Sequence, residues 1–135
     1  MPRNTMRRIT DFMTRCPYTV SADASLDEAI KAMELHHIRH LPVARDGELV
    51  GVLTEHEARL VRALSEMTPF NPKVGEVCEK DPYIVASDAL ISPVALEMAE
   101  RQIECVLVAD EDENVVGIFT TSDACRYIHY LTSDK

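Results

Sequence analysis

The feature that most limits what this chain can fold into is an internal repetition. Residues 51–58 read GVLTEHEA, and residues 117–124 read GIFTTSDA. The correspondence runs well beyond that phrase. Pro17, Tyr18, Val20, Asp23, Ala24, Met33, Ile38, Val43 and Ala44 recur 65 positions later as Pro82, Tyr83, Val85, Asp88, Ala89, Met98, Ile103, Val108 and Ala109. From Gly51 onward the offset is 66, pairing Gly51 with Gly117, Thr54 with Thr120 and Ala58 with Ala124. The extra residue enters between ARDGEL (44–49) and ADEDENV (109–115), where a hairpin loop absorbs an insertion readily. A repeat of this length means that one supersecondary unit is built twice.

Each copy predicts the same order of elements, β-α-β-β-α. A short extended piece follows a proline, YTV (18–20) or YIV (83–85). An amphipathic helix comes next. In the first copy Leu26, Ala29, Ile30 and Met33 recur at helical spacing, and Ser25 with Glu28 forms a capping box at its start. In the second copy Ile91, Val94, Ala95 and Met98 take those places, with Ser92 read as the N-cap and Pro93 as the first helical residue. Two strands joined by a turn follow: HLPVA (40–44) with LVGVLT (49–54), and CVLVA (105–109) with VVGIFT (115–120). A second helix then opens at Thr54 or Thr120. Asn71-Pro72 breaks the helix of the first copy and links it to the second. A unit of about 60 residues buries little surface alone. The expected fold class is therefore α+β, two units packed through their sheets about a pseudo-twofold axis.

Composition narrows the function. The net charge of −9, from 14 basic and 23 acidic residues, repels nucleic-acid phosphates, so no nucleic-acid partner is expected. A single nucleotide needs only one or two local cations and some backbone donors. No apolar run approaches the ~20 residues that span a bilayer, and MPRNTMRRITDF at the start has no apolar stretch behind its arginines. Neither a membrane partner nor a signal peptide is expected. Cys16, Cys78, Cys105 and Cys125 form no CxxC pair and read as reduced thiols in a cytoplasmic protein, with a scattered zinc site as the alternative. Met13, Met33, Met67 and Met98 read as core or helix-interface filler.

The phrases ITDFMTRCPYTV (9–20) with VGEVCEKDPYIV (74–85), IRHLPVA (38–44) and the two GxxT segments together resemble a tandem pair of cystathionine-β-synthase (CBS) domains, a Bateman module, of the stand-alone bacterial or archaeal type. The resemblance covers about residues 6–130. It divides the chain into one repeat at 6–67, a linker at 68–73 and a second repeat at 74–131, leaving no room for a separate catalytic or DNA-binding domain. It implies a regulatory module that binds adenosine-containing ligands in clefts between the repeats: AMP, ADP or ATP first, S-adenosylmethionine second, with NAD in the same class. It also implies a homodimer, a disk of four repeats, that passes a conformational change to an unknown regulated protein.

The candidate site residues follow from the GxxTxxD phrase. Glycine ends a strand where the backbone can approach a ligand closely. Thr then opens a helix whose first N–H groups suit an anion. The acid on the first turn can accept two hydrogen bonds from the cis hydroxyls of a ribose. In the family pattern the Asp does this and the Thr contacts ribose or phosphate, which implies Thr120 and Asp123. The competing reading is that Thr-x-x-Asp is a capping box and nothing more. In the first copy Thr54 is kept but Glu57 replaces the Asp; Glu reads as the better capping partner and would crowd a ribose, so this site is weak, empty or differently filled. In the family pattern basic residues before the LPV strand meet phosphates, which implies Arg39 and His40; the competing reading is a solvated strand start. Their counterparts, Glu104 and Cys105, cannot bind phosphate, so the second site lacks a phosphate cation unless Arg39 and His40 face the same ligand. Thr19 and Ile84 would lie beside the base in the family arrangement, or else simply pack in their strands. His36, His37 and His40 raise a metal site, but no Cys or acid falls at ligand spacing.

Three function classes remain: an adenosine-ligand sensor, a structural or dimerisation module that has lost its ligand, and an enzyme. No Ser-His-Asp, Cys-His or paired-carboxylate arrangement supports the last. Cys105 beside Glu104 is the nearest approach to a nucleophile, and it lies in an apolar strand.

Overall fold

The computed structural model describes residues 7–16 and 18–133; Pro17 and Met6, part of the repeat pattern and its expected boundary, lie outside them. The chain forms two compact units, each mixed α+β with a four-stranded sheet. One comprises residues 18–82, and the other residues 83–133 together with 7–16.

In the first unit the sheet order is β2-β3-β4-β5, formed by β2 (Val20–Ser21), β3 (His40–Arg45), β4 (Glu48–Thr54) and β5 (Glu79–Lys80). Strand β2 runs parallel to β3, with Val20 beside Val43, through the crossover helix α1 (Leu26–His36). The hairpin between β3 and β4 closes through Asp46-Gly47, whose φ angles of 53° and 82° match the twist of the strands it joins. Helix α1 begins where the sequence places it. Ser25 Oγ accepts from Glu28 N at 3.1 Å, and Glu28 Oε1 accepts from Ser25 N at 2.8 Å. Its predicted apolar stripe, Leu26, Ala29, Ile30 and Met33, is buried. Helix α2 (Glu55–Ser65) ends well before Asn71-Pro72. Met67, expected as filler, is 82% exposed; it lies beyond the last turn of α2, where nothing covers the stem.

The second unit repeats this plan with β6 (Tyr83–Ala86), α4 (Ile91–Arg101), β7 (Cys105–Ala109), β8 (Val115–Thr120) and α5 (Thr121–Thr132). Its longer hairpin loop is organised by Asp110, whose Oδ1 accepts from Asp112 N and Asn114 N at 2.9 and 3.0 Å, an Asx turn that takes up the inserted residue. Ile91, Val94, Met98, Val106, Val108, Phe119 and Tyr127 form its core with Ile9. Helix α4 starts earlier than predicted. Leu90 is its N-cap, so Ser92 and Pro93 occupy the second and third helical positions. Proline is tolerated there because the first four N–H groups of a helix have no intrahelical acceptor.

Two leading segments carry no periodic signal, and each adds an edge strand to a sheet. Short strand β1 (Thr14–Arg15) pairs antiparallel with β8. Helix α3 (Val74–Val77) and strand β5 close the first unit, with β5 antiparallel to β4. The leading segments are therefore exchanged relative to the repeats: residues 7–16 build the second unit and residues 74–80 the first. The contacts match position for position. Ile9 N donates to Ala89 O at 2.7 Å, and Val74 N donates to Ala24 O at 3.0 Å.

This exchange gives the glycines of the repeated phrase their role. A Cβ on Gly51 would fall inside contact distance of Glu79 O and 2.8 Å from Cys78 Sγ; one on Gly117 would lie 2.9 Å from Thr14 O. Both glycines sit within strands β4 and β8. The close approach they permit is that of β5 and β1, where the sequence reading expected a ligand.

Candidate functional site

Strand alternation decides which side of each sheet the candidate residues occupy. In the second unit Tyr83, Val85, Val106, Val108 and Phe119 pack with the helices. Ile84, Leu107, Ile118, Cys105 and Thr120 therefore share the opposite face, with Ile84 beside Leu107 and Cys105 beside Thr120. Ile84 is 45% exposed. In the first unit His40 pairs with Thr54 at the corresponding place, and Thr19 lies exposed just before β2. Arg39 is exposed, and its carbonyl accepts from Glu55 N at 2.8 Å, joining the start of β3 to the start of α2.

Thr54 and Thr120 are N-caps, and each closes a capping box with the acid three residues on. The boxes differ in quality. Asp123 Oδ2 accepts from Thr120 N at 2.9 Å and from the Thr120 hydroxyl at 3.2 Å. Glu57 Oε1 is 3.5 Å from Thr54 N, while Glu57 N donates to Thr54 Oγ1 at 3.1 Å. The other half of the box runs the opposite way, since Asp123 N is 3.4 Å from Thr120 Oγ1, longer than the 3.1 Å of the Glu57 box. The shorter Asp arm stays close to the cap, and two further groups anchor it.

Those groups escaped the sequence reading. Thr14 Oγ1 donates to Asp123 Oδ1 at 3.0 Å, and the Arg126 guanidinium pairs with the same oxygen. The carboxylate is 1% exposed, while the Arg126 side chain is 64% exposed. Arg126 thus places a cation beside Asp123 that the Glu104-Cys105 pair does not supply. Arg126 carried a local signal, because residues three apart on a helix are neighbours. Thr14, 109 residues away, carried none.

His36 stacks on Tyr18 with ring centroids 3.5 Å apart, and His37 is the left-handed C-cap of α1 with φ 56°. Among the described residues no group of three or more His, Cys, Asp or Glu side chains is placed to hold a metal ion. Cys16 and Cys78 are buried, Cys105 is half-buried and Cys125 exposed. Burial pushes the Cys78 thiol above its ordinary pKa, against a smaller opposing pull from Lys80. A groove of about 320 Å³ lies between α1 and α2. Four of its charged residues pair across it, Arg62 with Asp27 at 2.6 Å and Arg59 with Glu34 at 2.8 Å. No helix among the described residues is long and apolar enough to cross a membrane.

The CBS domain family model matches residues 9–63 and again residues 74–130, each covering one repeat with its N-capped second helix. The chain belongs to the CBS domain family. Among curated proteins, the inosine-5′-monophosphate dehydrogenase of Methanocaldococcus jannaschii is 32% identical over 114 residues, 83% of this chain and 22% of that enzyme. The L-aspartate semialdehyde sulfurtransferase of the same organism is 29% identical over 119 residues, 87% of this chain and again 22% of the relative. This CBS chain thus spans about a fifth of the length of either enzyme. Among solved structures, the CBS domain pair of protein MJ0100, in complex with 5′-methylthioadenosine and S-adenosyl-L-methionine, is 26% identical with a TM-score of 0.78, covering 94% of this chain and 99% of that one.

Proposed function

We propose that this CBS pair is a non-catalytic, cytoplasmic sensor that binds an adenosine-containing ligand at Thr120 and Asp123 and passes the resulting change to a regulated protein. The observation that carries this reading is the Asp123 carboxylate, buried on the first turn of α5 beside the Thr120 hydroxyl, where Oδ1, the oxygen outside the capping box, suits the cis hydroxyls of a ribose. The adenosine compounds bound by the related MJ0100 pair support the ligand class. AMP, ADP, ATP, NAD and S-adenosylmethionine are its candidate members. Ile84, on the Thr120 face of the sheet, is the candidate base contact. Thr54, Glu57, Thr19, Arg39 and His40 form the corresponding, weaker candidate set in the first repeat. Binding acts by favouring one of two arrangements of the protein. Exposed Leu60, Leu64, Ile128 and Leu131 on α2 and α5 support a homodimer formed through these helices.

Calorimetric titration with those five compounds tests the reading, wild type against Asp123→Ala. Binding that the substitution abolishes supports it. Absence of binding by all five, or binding indifferent to the substitution, refutes it. A second reading, a structural module without a ligand, is favoured by one observation: protein groups already engage both oxygens of Asp123. Thermal melts separate the two, because a ligand at 100 times its dissociation constant adds about 2.7 kcal/mol.

A further inference from the structure

The two oxygens of Asp123 are held in different ways. Oδ2 belongs to the capping box, accepting from the backbone N–H and hydroxyl of Thr120. Oδ1 accepts from outside the box, from the Thr14 hydroxyl at 3.0 Å and the Arg126 guanidinium. A carboxylate offers about four lone-pair sites, and these four donors fill them. A vicinal diol therefore cannot bind without displacing protein donors. Displacing those on Oδ2 opens the end of α5. Displacing those on Oδ1 costs less. Arg126, with its side chain 64% exposed, can turn its guanidinium into water, and the Thr14 hydroxyl can rotate away.

The first unit lacks both groups. The position matching Thr14 at the 65-residue offset is Glu79, and the position matching Arg126 at the 66-residue offset is Leu60. The backbone places are the same, since Thr14 lies opposite Ile118 and Glu79 opposite Val52. An ionised Glu79 cannot donate to a carboxylate, and Leu60 carries no polar group. The clamp on Oδ1 is thus specific to the unit that carries Asp123.

We propose that Thr14 and Arg126 set the affinity and selectivity of the Asp123 site by occupying Oδ1, so that a ligand is admitted only if it replaces both donors. This rests on reading Asp123 as the ribose ligand. A cis-diol replaces both. A 2′-deoxyribose has one hydroxyl in place of two and leaves one lone pair of a buried carboxylate unfilled, which disfavours binding. Binding also releases the Thr14 hydroxyl from α5, so occupancy of the site is felt at β1, a strand of two residues.

The test is calorimetric titration of adenosine and 2′-deoxyadenosine into wild type, Arg126→Ala, Thr14→Val, Thr14→Ser and Asp123→Ala. Clearing one donor from Oδ1 is expected to tighten adenosine binding about three- to tenfold in Arg126→Ala and Thr14→Val, the range of a partly exposed ion pair or single hydrogen bond. Thr14→Ser keeps the hydroxyl and is expected to match wild type, which separates the clamp from a packing effect at this position. Adenosine binding that appears only once Arg126 or Thr14 is removed also supports the clamp. Adenosine affinity unchanged or weakened in Arg126→Ala overturns it, while loss of binding in Asp123→Ala leaves the ribose reading standing. Absence of adenosine binding in every variant overturns both.

Discussion

Replacing Gly51 by alanine puts a methyl group where β5 lies against β4. The new Cβ would sit inside contact distance of Glu79 O and 2.8 Å from Cys78 Sγ. Glu79 O is backbone and cannot turn aside, so β5 must move away. Overpacking of this kind costs about 1–3 kcal/mol. Weakening the pairing of Gly51 with Lys80 and Val52 with Glu79 forfeits one or two hydrogen bonds at about 1 kcal/mol each. Alanine returns about 0.4–1 kcal/mol by restricting the unfolded chain. The net expectation is a loss of about 2–3 kcal/mol, or roughly 8–12 °C in melting temperature for a chain of this size. Urea denaturation followed by circular dichroism measures it. Gly117→Ala is expected to lose less, because its nearest contact is the flexible end of Met13. A Gly51→Ala protein within about 0.5 kcal/mol of wild type would refute the claim that this glycine exists for strand packing.

Thr54→Ala, which removes the N-cap of α2, is expected to cost about 1 kcal/mol in the same denaturation assay. Iodoacetamide at neutral pH is expected to label exposed Cys125 and spare Cys78. Burial holds the Cys78 thiol above its ordinary pKa of 9.0, so its thiolate, the reactive form, accumulates only in more alkaline solution; labelling followed by mass spectrometry from pH 7 to 10 checks the order. Light scattering after gel filtration is expected to give a dimer for wild type and a monomer for Leu60→Glu with Leu64→Glu, since charge on that exposed stripe opposes its burial.

Much of the candidate site was legible because it is local. A capping box spans three residues, so Thr120 with Asp123 and Thr54 with Glu57 could be read directly from the string. Arg126 was equally local but lay outside the repeated phrase that drew attention. The offset that exposed the repeat also shows that its counterpart is Leu60. The start of α4 is not legible in the string, because Ser92-Pro93 satisfies N-cap statistics while the helix begins two residues before Pro93, at buried Ile91.

By itself the sequence determined two copies of one unit, the order of strands and helices in each, the capping boxes, and the residues that fill the helix faces. These depend on periodicity and on contacts a few residues apart, which any chain displays in its own order. Only the tertiary structure decided where the leading segments go. ITDFMTRC and VGEVCEKD precede their copies in the same way, so repetition cannot distinguish a leader that packs on its own unit from one exchanged with the other. That choice rests on pairings of high sequence separation, β1 with β8 and Thr14 with Asp123. It fixes what the repeated glycines are for and which donors stand in front of the Asp123 carboxylate.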